Sequence, residues 1–434
     1  MIASLEKHLG TLYIILLPCL ILVPQWDPID IKALIWLNLS IVNTVFILYI
    51  LFVYRDKSHY YLKDPSIILF LCFFLVSILS TSVAINKAAS LMRLTDIYAI
   101  FSSLIIIVFF NKRGYLDHKT VLIIIFISLI LELAGSYYQL YQVYYYNGEF
   151  IGANSGDVKS VYPNKNMTSF ALAPKTMLVL ILHSIVNNKW MKLFILIILI
   201  ASCFIIILLA SRAMYFLIPM LAILYLLLLV TKKFFKGKEI IPDISFLKYF
   251  FVSFIVSLLI YKITIDNKNT DNIQLDIAER AVSVFNSTDE SAANRIRFIK
   301  HTVDQIKKKP LLGIGIGNWR LKSIEYDKED IYSYVVPHSA HNDFLEIFAE
   351  TGIFGFSSFF LFFLFLLKKI MEGIKLWLND KLRPYSIYIL SAFLLLLADF
   401  TFNFPLDRPS SMIVFLLLVS VIYSAPNKNY KIEK

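Results

Sequence analysis

Long apolar runs separated by short polar breaks set the pattern of this chain. Runs fall at about 11–24, 31–53, 65–84, 94–110, 120–143, 167–186, 192–210, 213–230, 246–264, 343–368, 385–403 and 410–425. A helix crosses a bilayer with about 20 apolar residues, so the pattern predicts about twelve spans. From Leu193 to Val230 only Ser211-Arg212 interrupts the apolar sequence. About 38 helical residues would reach ~57 Å, about twice the hydrocarbon core, so two spans with a turn at Arg212 are expected. The pattern fails at length only between about 265 and 340. The expected fold is therefore an all-α polytopic helix bundle in three parts. Residues 1–264 carry nine spans and short loops, 265–340 form a large, partly helical external loop, and 341–434 carry the last three spans and a tail.

Composition agrees: 58% of the 434 residues are hydrophobic and 17% charged, with mean hydropathy +0.69. A soluble chain carries about 25% charge. Cys19, Cys72 and Cys203 all lie in apolar runs and read as buried small hydrophobes, without a disulfide or metal pattern. No small-residue cleavage site follows the first run, which reads as a retained span. The net charge of +11 would point to nucleic acid in a soluble protein. Here it fixes orientation instead, and no nucleic-acid partner is expected. Lys and Arg crowd alternate connections, as at Arg55 to Lys63, Lys112 to Lys119, Lys232 to Lys238, Lys368 to Arg383 and Lys428 to Lys434. The positive-inside rule puts these loops and both termini in the cytoplasm, and residues 265–340 outside. No internal repeat is visible, which disfavours an inverted-repeat transporter.

Within the external stretch, Ile296, Ile299, Val303 and Ile306 have helical spacing over 294–309, with Arg295, Arg297, Lys300 and Lys307 to Lys309 on the other faces and Pro310 as a stop. This is a basic amphipathic helix of the kind that lies on lipid. Arg295 and Arg297 are headgroup contacts or specific ligand groups. His341 should open the next membrane helix, with Ser339 or Asn342 placed to cap it. A histidine there is either an idle interfacial side chain or a general base. Arg212, alone between two spans, either snorkels to the interface or clamps phosphate. Lys165, Arg93 and Arg408 are external cations for which an ordinary interfacial role is the simpler reading. Asp399 lies inside a span near its external end. Gly313, Gly315 and Gly317 miss the G-x-G-x-x-G spacing and read as a tight turn. The sequence holds no Walker lysine motif, D-x-D or H-E-x-x-H, and His338 with His341 makes a poor metal site.

These pieces point to a reaction at the outer face on an anionic, lipid-linked substrate. The segment from Lys309 through Leu312, Gly313, Gly315 and Gly317 to Asn318, and then His341-Asn342 with Leu345, Glu350, Gly352 and Gly355, resembles the O-antigen ligase and polymerase superfamily. Ser211-Arg212 and the residues from Arg295 to Ile299 fall at matching positions, although many relatives carry Trp where this chain has Ile299. The resemblance implies a metal-independent, inverting glycosyl transfer without a cofactor, from an undecaprenyl-diphosphate-linked glycan. His341 would activate the acceptor hydroxyl, and Arg212 and Arg295 would hold the diphosphate. Arg297, His338, Asn342, Lys165 and Arg93 are the candidate substrate contacts. Ligation to lipid A–core is the preferred reading. Polymerisation of repeat units and transfer to protein are its relatives, and a lipid-linked sugar transporter or flippase is the rival from another class.

Overall fold

The structure is a computed structural model. It describes residues 2–21, 30–54, 62–147, 158–162, 164–209, 211, 226, 230, 245–264, 290–328, 339–378 and 385–425. Among these, every regular element is helical: α1 Ile2–Ile21, α2 Asp30–Val53, α3 Pro65–Ser80, α4 Lys87–Lys112, α5 His118–Asn147, α6 Lys165–Ile185 and α7 Lys189–Leu208, followed by α8 Ser245–Thr264, α9 Glu290–Lys308, α10 Trp319–Asp327, α11 Asp343–Leu378, α12 Tyr385–Phe402 and α13 Pro409–Ser424. Short 3-10 turns follow α3 (Thr81–Val83) and precede α13 (Pro405–Asp407).

Eight helices, α2 to α7, α11 and α12, are long and apolar enough to cross a membrane, and α13 is apolar but shorter. Helices α1 and α8 stand where two further spans were expected. The expected run at 213–230 lies almost wholly outside the described residues, as do much of the loop at 265–340 and Arg212 and His338. The architecture is thus an all-helical, multi-pass bundle.

The polar breaks in the sequence work as helix caps. Asp64 accepts the Ser66 N–H at the start of α3, with Pro65 in the first helical position. Asn86, Asn164 and Asn188 do the same for α4, α6 and α7. Large apolar side chains such as Leu48, Phe52, Leu131 and Ile197 are exposed on the outer helices. A water-facing surface would not carry that band, and a lipid-facing one requires it. Helices α6 and α13 are buried along almost their whole length and form the interior of the bundle.

One ion pair lies inside it. Lys175 on α6 pairs with Glu132 on α5, both wholly buried. Ser128 Oγ also donates to Glu132 Oε1 (3.1 Å), and the Tyr162 hydroxyl donates to Oε2 (3.0 Å). Ser160 Oγ donates to the Glu132 carbonyl (2.8 Å), which lays the segment 158–162 onto α5.

Helix α11 is two helices across a kink at Gly352, where φ is +68°. The short first piece carries the motif residues and the longer second piece crosses the bundle against α3.

Candidate functional site

A glycine turn builds the frame of the site. The Ile314 and Gly315 N–H groups donate to the carbonyls of Ala349 (3.1 Å) and Glu350 (2.9 Å), the last carbonyls of the short helix. The Ile353 N–H returns a bond to the Pro310 carbonyl (2.8 Å). Gly352 in the left-handed region is the residue that ends such a helix at least cost. A Cβ there would lie 2.0 Å from the Leu311 carbonyl oxygen, and one at Gly313 would lie 2.4 Å from the Glu350 carbonyl carbon. The glycines therefore let two backbones meet, as a turn rather than a phosphate loop. Glu350 Oε1 accepts the Trp319 N–H (2.7 Å) and so fixes the start of α10. Asn318 bonds to Asn86 and Ser90 at the start of α4. The external stretch is thereby tied to the bundle on two sides.

His341 sits at the mouth of this frame. Its φ of +52° is in the left-handed region, a strained place for a side chain with a Cβ. The Ala340 N–H donates to Glu346 Oε2 (2.7 Å) and the His341 N–H to Ser339 Oγ (3.4 Å), holding the bend. Asn342 Oδ1 accepts the Leu345 N–H (3.0 Å), so Asn342 is the helix cap. The imidazole stacks on Phe298 of α9 (centroids 6.0 Å, 12°) and meets the edge of Phe404 (5.1 Å, 80°). Its Nδ1 is buried without a hydrogen-bond partner. Burial, and then the positive charges of Arg295 and Arg408, push the imidazole down to about 4, so it is neutral at pH 7. A neutral imidazole has a nitrogen lone pair able to accept a proton.

The candidate cations divide by what already binds them. Arg93 Nη1 lies 2.5 Å from Asp407 Oδ1 and donates to the Leu406 carbonyl (3.1 Å), and Lys32 reaches Asp407 at 3.6 Å. Burial alone would raise the Asp407 carboxyl, but Arg93, Lys32 and Arg408 hold it down at about 2. Asp343 Oδ2 accepts the Leu406 N–H (2.8 Å). Arg93 and Asp343 thus pin the turn 405–407 beside His341. Arg297 is held by Asp327, through an Nη2 hydrogen bond of 3.2 Å and a close but bent Nε contact of 2.8 Å. Arg295, half-buried on α9, is near enough to act on the imidazole charge. Lys165 opens α6 in a half-buried position, on the helix that α12 packs against.

Two features differ from the sequence reading. Helix α9 exists, but its buried side is Phe298, Thr302 and Gln305, whereas Ile296 is 69% exposed. The aliphatic spacing marked the helix and not the face turned to the protein, because that face serves the imidazole and the Tyr326 hydroxyl, which donates to Gln305 Oε1. Arg408 is the second. It is only 6% exposed, its Nε and Nη1 are buried without hydrogen-bond partners, and its guanidinium lies 3.9 Å over the Phe404 ring. A charged residue ahead of Pro409 carried no sequence signal of burial. What could have marked it is the neighbouring FNFP, which supplies an aromatic wall and a helix start.

No curated protein matches the chain significantly. The O-antigen ligase family model matches residues 177–360. That stretch takes in the Arg212 and Arg295 positions, the glycine turn and the His341 segment. It ends before α12 and Arg408. The match identifies that stretch as similar to the O-antigen ligase family and supports the resemblance read from the sequence.

Proposed function

We propose that the protein moves a glycan from undecaprenyl diphosphate to an acceptor hydroxyl at the external membrane face, with lipid A–core as the acceptor. The observation that carries this reading is His341, a neutral imidazole locked in a strained conformation between two aromatic rings and facing Arg295 and Arg408. The family match supports a membrane glycosyltransferase of the O-antigen ligase type.

In the proposed step an imidazole nitrogen takes the acceptor proton while the hydroxyl oxygen attacks the anomeric carbon. The bond from that carbon to the phosphate oxygen breaks on the opposite face, and its electron pair leaves with the undecaprenyl diphosphate. Configuration at the anomeric carbon is inverted. Arg295 and Arg212 stabilise the leaving charge without a metal ion or cofactor. Arg93, Arg297 and Asn342 act by holding the turn 405–407, helix α10 and helix α11 in place. Lys165 and His338 are outer contacts to the glycan.

The test is glycan transfer by purified protein in EDTA, wild type against His341→Ala. The reading requires transfer that survives EDTA and is lost in the variant. The acceptor that works chooses among ligase, repeat-unit polymerase and protein O-oligosaccharyltransferase. Donor binding without transfer to any acceptor would favour a lipid-linked sugar transporter.

A further inference from the structure

We propose that Arg408 is an anion-holding side chain of the His341 site and takes phosphate oxygens of the donor diphosphate. The inference rests on the diphosphate-donor reading above and adds a residue that lies beyond the family-matched stretch.

Burying a guanidinium without partners costs several kcal/mol, so such a group is normally paired. Arg408 is buried, yet its Nε and Nη1 bond to nothing and, among the described residues, it forms no ion pair within 4 Å. Asp399, Asp343 and Asp407 attract it, and Arg295 repels it. Two of these carboxylates have other work. Asp343 Oδ2 holds the Leu406 N–H, and Asp407 holds Arg93 and Lys32. Asp399 is the natural structural partner, but its Oδ2 is also buried and unpartnered, while its Oδ1 accepts from Asn403 (2.7 Å). The two opposite charges are therefore kept apart, each with unused capacity.

Three neighbours make Arg408 fit for phosphate. The Phe404 face below it fixes the plane of the guanidinium, whose fork then matches two oxygens of one phosphate. Phe404 also touches His341, so the cation and the imidazole share one wall. Arg408 is the N-cap residue of α13 and makes no side-chain cap bond, so the partial positive charge of that helix start adds to its own.

The experiment measures binding of undecaprenyl diphosphate and, separately, of phosphatidylglycerol to full-length protein in nanodiscs, for wild type, Arg408→Met and Arg408→Lys. Thermal unfolding of each variant is followed in parallel. A lost charge-assisted contact predicts affinity for undecaprenyl diphosphate at least tenfold weaker in Arg408→Met. Partial recovery is expected in Arg408→Lys, with phosphatidylglycerol binding unchanged. If Arg408→Met fails to fold, Arg408→Met with Asp399→Asn removes both charges and is measured instead. Equal donor affinity in the Met variant, or parallel loss for both lipids, overturns the proposal. Wild type that binds no undecaprenyl diphosphate overturns the donor reading itself.

Discussion

Two buried cations in this bundle are treated in opposite ways. Lys175 lies among Glu132, Ser128 and Tyr162, and each oxygen of the Glu132 carboxylate has at least one donor. Arg408 is nearly as buried, and two of its nitrogens have no partner. In a low-dielectric interior the first arrangement is closed and rigid, because breaking it leaves a bare charge. The second leaves donors that an anion from outside the chain can complete. The difference separates polar groups that hold the bundle from polar groups that wait for substrate.

Four substitutions or conditions would break or sharpen that contrast. The largest effect is expected at the open site. His341→Gly should lower transfer by ~10²–10⁴-fold, the range for losing a general base, while relief of the left-handed backbone, about 1 kcal/mol, offsets part of the stability lost with the ring packed on Phe298 and Phe404. Transfer assays and thermal unfolding on one preparation check this against His341→Ala, which loses the same ring without the backbone relief, and a Gly variant no more stable than the Ala variant would mean the bend is not strained. Next is the closed pair. Lys175→Met leaves Glu132 bare and should cost about 3–5 kcal/mol, whereas Lys175→Met with Glu132→Leu should recover most of it. Detergent melting curves decide, and a double variant as weak as the single would show that Tyr162 and Ser128 also depend on the carboxylate.

The third concerns pH. The His341 pKa lies at about 4, below the ordinary 6.5, through burial and the neighbouring arginines. The neutral form therefore persists as pH falls, and the acid limb of kcat/KM should lie below pH 6. Its contribution to stability has the same sign. It is present above pH 6.5 and is lost as pH drops toward 4, because the unfolded imidazole takes its proton first. An acid limb at 6.5 would place the imidazole in water. The smallest effect is at Arg297→Lys, which loses the forked contact to Asp327. The Arg297 side chain is 28% exposed, so about 0.5–1 kcal/mol of stability is expected, with transfer little changed. A large loss of transfer would move Arg297 from support to substrate.

The helices were legible because lipid imposes one rule on every span, and the polar breaks supplied caps such as Asp64 and Asn188. His341 was legible from its place before an apolar run, and Asn342 from its type at a helix start. The buried side of α9 was not, because a face that serves an imidazole is chosen by shape and hydrogen bonds rather than by aliphatic spacing. The closed pair of Lys175 and Glu132 was also invisible. Each residue is a single charge in an apolar run, and only the register of α5 against α6 joins them. Arg408 was read as an ordinary interfacial cation, since no local pattern says that Phe404 and α13 will cover it.

The turn 405–407 has a consequence for how the protein is made. It binds Arg93 from α4 and Asp343 from α11, and Phe404 closes one side of His341. In synthesis the turn appears after every described helix except α13. A growing chain can therefore carry His341, α9 and the glycine turn in the membrane and still lack one wall of the imidazole. Competence should arrive in a single late step, when the translocation machinery releases the last hairpin to dock. Until then a half-made copy lacks the closed imidazole site.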